Sequence, residues 1–315
     1  MRLGILLPTR EAVLSGGSEA APLLEMAERA EAAGFDSVWV GDSILARPRF
    51  EPLTLLAAVA ARTHRVTLGT AVLLPALRHP LVLAHLVATL DRLSEGRLVL
   101  GVGIATDNPP IRKEFEAAGS PFSQRVGRCL EILRICRALW GSERATFKGR
   151  YWTLEDAELL PKPARPGGPP IWMGGSGETA LRAAGASFDG WFPISPTAAD
   201  FRKGWERVQA EARAAGRDPA AVTPALYTTV RLDRDVAAAR ETMRRFIEAY
   251  YMVPYERIAA RQGCYAGTVE GCVEWLTGFR EAGARHVVLR FAGADQLSQL
   301  EQAASGFLRR LRGPD

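Results

Sequence analysis

The stretch between Ser37 and Val102 decides the fold. It reads Ser37-Val38-Trp39-Val40, then Pro52–Thr63, Val66–Leu74, Pro80–Leu93 and Arg97–Val102. The short pieces are apolar runs of strand length. The long pieces open on proline and repeat their apolar residues at helical spacing. Strand and helix therefore alternate, and repeated βα units require a parallel sheet with right-handed crossovers.

The alternation continues outward in both directions. Leu3–Leu7 reads as a buried strand, and Ala20–Ala33 as a helix closed by Gly34. Downstream, strands are expected at Ile171–Met173, Gly190–Phe192, Ala225–Leu232 and His286–Arg290. Helices are expected at Gln124–Trp140, Glu178–Ala184, Ala198–Ala214, Val236–Tyr250, Val269–Ala282 and Gln296–Arg310. Eight strands, each followed by helix, predict an α/β chain folded as a single (β/α)8 TIM barrel, one domain over 1–315. Insertions are expected after strands 4 and 7. The first, about 140–170, carries a hairpin at Thr146–Leu154; the second, about 251–267, reads as irregular. A doubly wound sheet is the rival, but no glycine-rich fingerprint follows the first strand.

Composition narrows the function. Hydrophobic residues make up 47% and charged residues 24% of 315, which excludes a disordered or fibrous chain. The net charge is +5, yet the arginines are scattered and alternate with acids on helices, so no nucleic-acid partner is expected. No apolar run reaches the length of a membrane span, and the first residues do not read as a signal peptide. The four cysteines lack metal-ligand spacing, so no metal is expected, and a cytoplasmic protein with reduced thiols is. Cys129 and Cys136, seven apart, should share one buried helix face.

Chemistry in a barrel belongs at the C-terminal ends of the strands. The sharpest local signal there is Gly174-Gly175-Ser176-Gly177-Glu178-Thr179. Its glycines let backbone approach an anion, while the next helix offers free amides, with Ser176 and Thr179 as further donors. An ordinary turn with Ser176 as N-cap is the structural alternative. The run also fits the G-x-G-x-x-A dinucleotide pattern, but no acid ends the following strand. Asp42, closing an apolar strand, is either functional or a loop cap. His79 precedes Pro80 as a helix-start histidine, and no Ser-His-Asp set or carboxylate pair is legible.

Five pieces together carry a resemblance: Phe35–Asp42, Gly69–Pro75 with His79-Pro80, Ala88–Arg97, Pro170–Gly175 and Asp189–Pro193. In this order they resemble the luciferase-like flavin oxidoreductases, (β/α)8 barrels that use reduced FMN with O₂ or the deazaflavin coenzyme F420. The resemblance implies a cis peptide at Ala71-Val72 against the flavin ring and a phosphate site at Gly174, Gly175, Ser176 and Thr179. It aligns Arg125 with a phosphate-binding arginine, although a lone surface arginine is the plain alternative. Gly103 stands beside the cofactor where luciferase has a reactive cysteine. Ser43 replaces the histidine that follows strand 2 in luciferase and in F420 enzymes that oxidise alcohols, and Thr106 stands nearest the place of their strand-4 carboxylate. Neither titrates near neutrality. The leading expectation is therefore a monooxygenase, oxygenating a small organic substrate through a flavin C4a-peroxide. Reduced FMN would come from a separate flavin reductase, and Asp42 or Ser43 would lie at the reactive face. An F420-dependent reductase or dehydrogenase is the alternative, and a non-catalytic flavin-binding subunit a minor one. The family resemblance also implies a homodimer.

Overall fold

The computed structural model describes residues 1–312. The strands are β1 (Arg2–Leu6), β2 (Ser37–Val40), β3 (Thr67–Thr70), β4 (Leu98–Val102), β5 (Ala145–Lys148), β6 (Thr153–Ala157), β7 (Ile171–Gly174), β8 (Gly190–Phe192), β9 (Thr223–Leu232), β10 (Cys264–Gly267) and β11 (His286–Phe291). The helices are α1 (Thr9–Leu14), α2 (Ala21–Ala33), α3 (Pro52–Arg62), α4 (Pro80–Leu93), α5 (Pro109–Ala117), α6 (Arg125–Gly141), α7 (Glu178–Ser187), α8 (Ala198–Ala214), α9 (Val236–Tyr251), α10 (Tyr255–Ala259), α11 (Val269–Glu281) and α12 (Gln296–Arg312).

The barrel runs β1-β2-β3-β4-β7-β8-β9-β11 and closes where β11 pairs with β1, every pairing parallel. Alternation along each strand sorts side chains between two layers. Leu6, Trp39, Val99, Trp172, Phe192, Ala225 and Val288 cluster inside the barrel. Leu3, Ile5, Val38, Val40, Leu68, Leu98, Leu100, Ile171 and Met173 belong to the larger cluster beneath the helices. Trp39 and Trp172 fill the interior because glycine faces them: a Cβ on Gly69 would collide with the Trp39 ring, and one on Gly190 with the Trp172 ring. His286 sits among them, its Nε2 2.7 Å from the Ser37 hydroxyl, which accepts from the Trp39 indole at 2.6 Å. Cys129 and Cys136 are both buried on α6, as their spacing predicts.

Three segments differ from expectation. The strand expected over Val66–Leu74 ends at Thr70, because the chain turns through a cis peptide at Ala71–Val72 and regains only a single bridge, Leu73 to Val102. The second insertion is ordered, forming α10 and a ninth strand, β10, that pairs in parallel with the end of β9. Helices α1 and α5 lie in stretches too short and too polar to show helical periodicity. The hairpin of the first insertion is present as β5–β6.

Candidate active site

Beyond Thr70 the chain bulges into the C-terminal mouth, and Val72 is seated on two glycines. A Cβ on Gly103 would meet Val72 Cγ2 at 2.5 Å, and one on Gly174 would meet Val72 Cγ1 at 3.1 Å. A side chain at Gly103 would collide with Val72, and one at Gly174 would crowd it. The structure thus brings Ala71, Val72, Gly103 and Gly174 into one platform made by β3, β4 and β7.

The turn after β7 lies beside it. Gly175 has a φ of +103°, a conformation that suits glycine, and the Trp191 indole donates to its carbonyl at 2.9 Å. The N-cap of α7 is Gly177 rather than Ser176, with no side chain bonded to the first-turn amides. Ser176 and Thr179 are exposed on this turn. Open amides, a helix N-terminus and two hydroxyls together can hold a phosphate. Arg125, at the start of α6, stacks its guanidinium 3.9 Å over the Phe122 ring, with Nε 3.5 Å from the Ala105 carbonyl in the loop after β4.

Asp42 and Ser43 serve the same end of the barrel through neighbours. The Asp42 carboxylate accepts from Arg78 with both oxygens, at 2.6 and 3.1 Å, and from the Leu74 amide at 2.9 Å, so it ties the end of β2 to the β3 loop. The Ser43 hydroxyl donates to Glu114 Oε1 at 2.8 Å. The same oxygen accepts from the amides of Ile44, Leu45 and Ala46, and the buried Oε2 has no partner. Both candidate residues are therefore occupied in bracing loops. Thr106 is exposed, and His79 Nδ1 accepts from the Leu81 amide at the start of α4.

A second group at this mouth escapes sequence reading. Arg290 lies on β11 and continues its inward register after His286 and Val288. It is 1% exposed and surrounded by the rings of Tyr227, Phe246, Tyr250 and Tyr251. Arg10 stacks 4.5 Å over Tyr250, and Arg49 Nη2 donates to the Tyr250 hydroxyl at 3.1 Å. Burial raises the Tyr250 phenol, but Arg49, aided by Arg290 and Arg10, pulls it below its ordinary value. An arginine two residues beyond Val288, on the inward register of a buried strand, was the available signal.

At the opposite, N-terminal end, a groove of about 1020 Å³ opens between Arg2, Asp36, Trp205, Arg213 and Arg285. Its one motif residue is Asp36, which precedes β2 and accepts from the Leu3 amide, and barrel chemistry sits at the other end. Among the described residues no cluster of His, Cys, Asp and Glu is placed to hold a metal ion.

The sequence matches the model of the luciferase-like monooxygenases over residues 1–287. The chain belongs to the luciferase-like monooxygenase family. One luciferase-like relative is the F420-dependent glucose-6-phosphate dehydrogenase of Amycolatopsis mediterranei (strain U-32), 32% identical across 92% of this chain and 94% of that one. A solved F420-dependent secondary alcohol dehydrogenase, in complex with an F420-acetone adduct, superposes with a TM-score of 0.82 at 24% identity, covering 97% and 98% of the two chains. A monooxygenase from Streptomyces bottropensis superposes equally well, also 0.82 at 24%, over 98% and 99%. At these identities the two structures speak to the fold, and it is the luciferase-like barrel. Membership in this family makes the chain an oxidoreductase.

Proposed function

We propose that this luciferase-like enzyme is an F420-dependent oxidoreductase transferring hydride to or from a small organic substrate. The observation that carries the reading is the 32% identity, over 92% of the chain, to an F420-dependent dehydrogenase. This reading replaces reduced FMN as the leading cofactor. The residues present fit a flavin-shaped group. Val72 on its two glycines offers a firm backing for a planar ring, and the open turn at Gly174–Ser176 with Thr179 suits a phosphate. The bound deazaflavin would supply a carbon that accepts or donates hydride. This chain's own residues then bind, orient and exclude water: Asp42 and Arg78 fix the loop that carries Val72, and Glu114 fixes the loop after Ser43.

Proton handling differs from that expected of an F420 enzyme oxidising an alcohol or sugar. Ser43 stands in place of histidine, and its hydroxyl is spent on Glu114. This favours a substrate other than the sugar phosphate in the relative's name. The same observation keeps a reduced-FMN monooxygenase as the second reading, because oxygen insertion does not call for that pair. Parallel titration of the purified protein with F420, FMN and reduced FMN separates the two. F420 is expected to bind at least tenfold more tightly than either form of FMN. Tight binding of reduced FMN with no binding of F420 would reverse the assignment.

A further inference from the structure

We propose that Arg10, Arg49 and Arg290 form an anion-binding pocket around Tyr250, and that it receives a carboxylate or phosphate group on the substrate. Arg290 Nε and Nη2 both donate to Thr229 Oγ1, at 3.1 and 2.9 Å, while Nη1 has no hydrogen-bond partner. Arg10 is 6% exposed, and its Nε and Nη1 also have none. Arg49 spends Nη2 on the Tyr250 hydroxyl and Nε on the Arg47 carbonyl. Glu11 is the acid whose charge reaches all three, but it lies in no ion pair with them among the described residues, and its own Oε1 is unbonded.

Stacked rings offset part of the cost of burying guanidinium groups, but they do not satisfy the free N–H donors. Buried charge without a counter-ion is costly, and the planar donors of arginine match the oxygens of carboxylate and phosphate. An oxyanion entering among these three groups would supply the missing acceptors.

Position assigns that anion to the substrate. Arg49 Nη1 packs on Gly41, where a Cβ would lie 3.6 Å from the Ala71 carbonyl, so the pocket borders the bulge that backs the cofactor ring. Around the barrel β1, which leads into Arg10, stands diametrically opposite β7, whose turn is the proposed cofactor phosphate site. A molecule anchored by the arginines would reach the ring from the side away from that turn. Naming the ligand as substrate rests on the hydride-transfer reading; the existence of the anion pocket does not.

The test uses the cofactor-free protein, with inorganic phosphate, succinate and chloride compared at equal ionic strength by thermal midpoint and calorimetry. Saturable binding of phosphate or succinate over chloride is expected, weakened at least tenfold by Arg49→Gln and by Arg10→Gln. The tighter of the two probes names the anion class. Binding should persist in the Ser176→Ala/Thr179→Ala double variant, which separates this pocket from the phosphate turn, and in Arg244→Gln on the exposed face of α9. Arg290→Gln should abolish binding where it folds; the other two arginine variants test the pocket whether or not it does. No effect beyond chloride, or binding left within twofold by Arg10→Gln and Arg49→Gln, would overturn the proposal. F420 titration of the same proteins keeps the two readings apart. Wild-type protein that binds anions but not F420 would end the hydride reading alone.

Discussion

Ser176 and Thr179 stand on the glycine turn with their hydroxyls exposed and the α7 amides open beside them. Hydrogen bonds to a charged group are worth about 1.5–3 kcal/mol each. Replacing both with alanine is therefore expected to weaken F420 binding at least tenfold without lowering the melting temperature, which a fluorescence titration and a thermal scan would check. Unchanged affinity would remove the turn from the cofactor site. This motif was legible because its physics is local: glycines, hydroxyls and a helix start adjoin in the chain. Asp42 was visible as an acid ending an apolar strand, but its role was not, since Arg78 and the Leu74 amide come to it from another strand's loop. Arg290 is the contrary case: its neighbours on β11 are apolar, and the rings of Tyr227, Phe246, Tyr250 and Tyr251 arrive from β9 and α9.

Helices and loops are joined here by buried glutamates that gather backbone amides. Glu131 of α6 accepts from the amides of Arg150, Tyr151 and Trp152, each at 2.9 Å, and so fixes the turn of the β5–β6 hairpin. Glu31 of α2 does the same for His64, Arg65 and Val66 ahead of β3, and Glu114 of α5 for the loop after β2. Burial pushes the Glu131 carboxyl up, but the three amides outweigh it and hold its pKa below the ordinary value. Glu131→Ala strands three donors and is expected to cost about 3 kcal/mol in urea unfolding, at roughly 1 kcal/mol or more each. Glu131→Gln, which keeps one accepting oxygen, should cost less than half of that; equal losses would show that packing, not the amides, matters. Elements defined by such contacts resist sequence reading. Helix α5 is short and mostly exposed, and β10 exists because the end of β9 offers it an edge. Most amphipathic helices were legible to within a residue or two because their periodicity is written in consecutive positions, although α7 runs three residues past the expected Ala184, to Ser187.

The interior of the barrel makes a prediction for the fold's response to acid. Burial, reinforced by Arg2 and the N-terminus, lowers the His286 pKa from 6.5 to about 3, so the imidazole stays neutral in the fold while the unfolded chain takes up a proton. The unfolded state then binds more protons between about pH 6.5 and 3, and stability falls as pH drops through that window. The slope is at most about 1.4 kcal/mol per pH unit, or roughly 2 kcal/mol between pH 6.5 and 5. His286→Gln, which can still accept from Ser37, should flatten this stretch in urea unfolding; an unchanged slope would place the titration elsewhere. No helix among the described residues is long and apolar enough to cross a membrane. Order along the chain was enough to establish the barrel, because periodicity, turn residues and the handedness of βα crossovers are local rules. The arginine–tyrosine pocket, the engagement of Asp42 and Ser43 in loop contacts and the ninth strand were decided only in three dimensions. Each depends on groups far apart in sequence meeting in a closed barrel, where burial determines which of their polar atoms find partners.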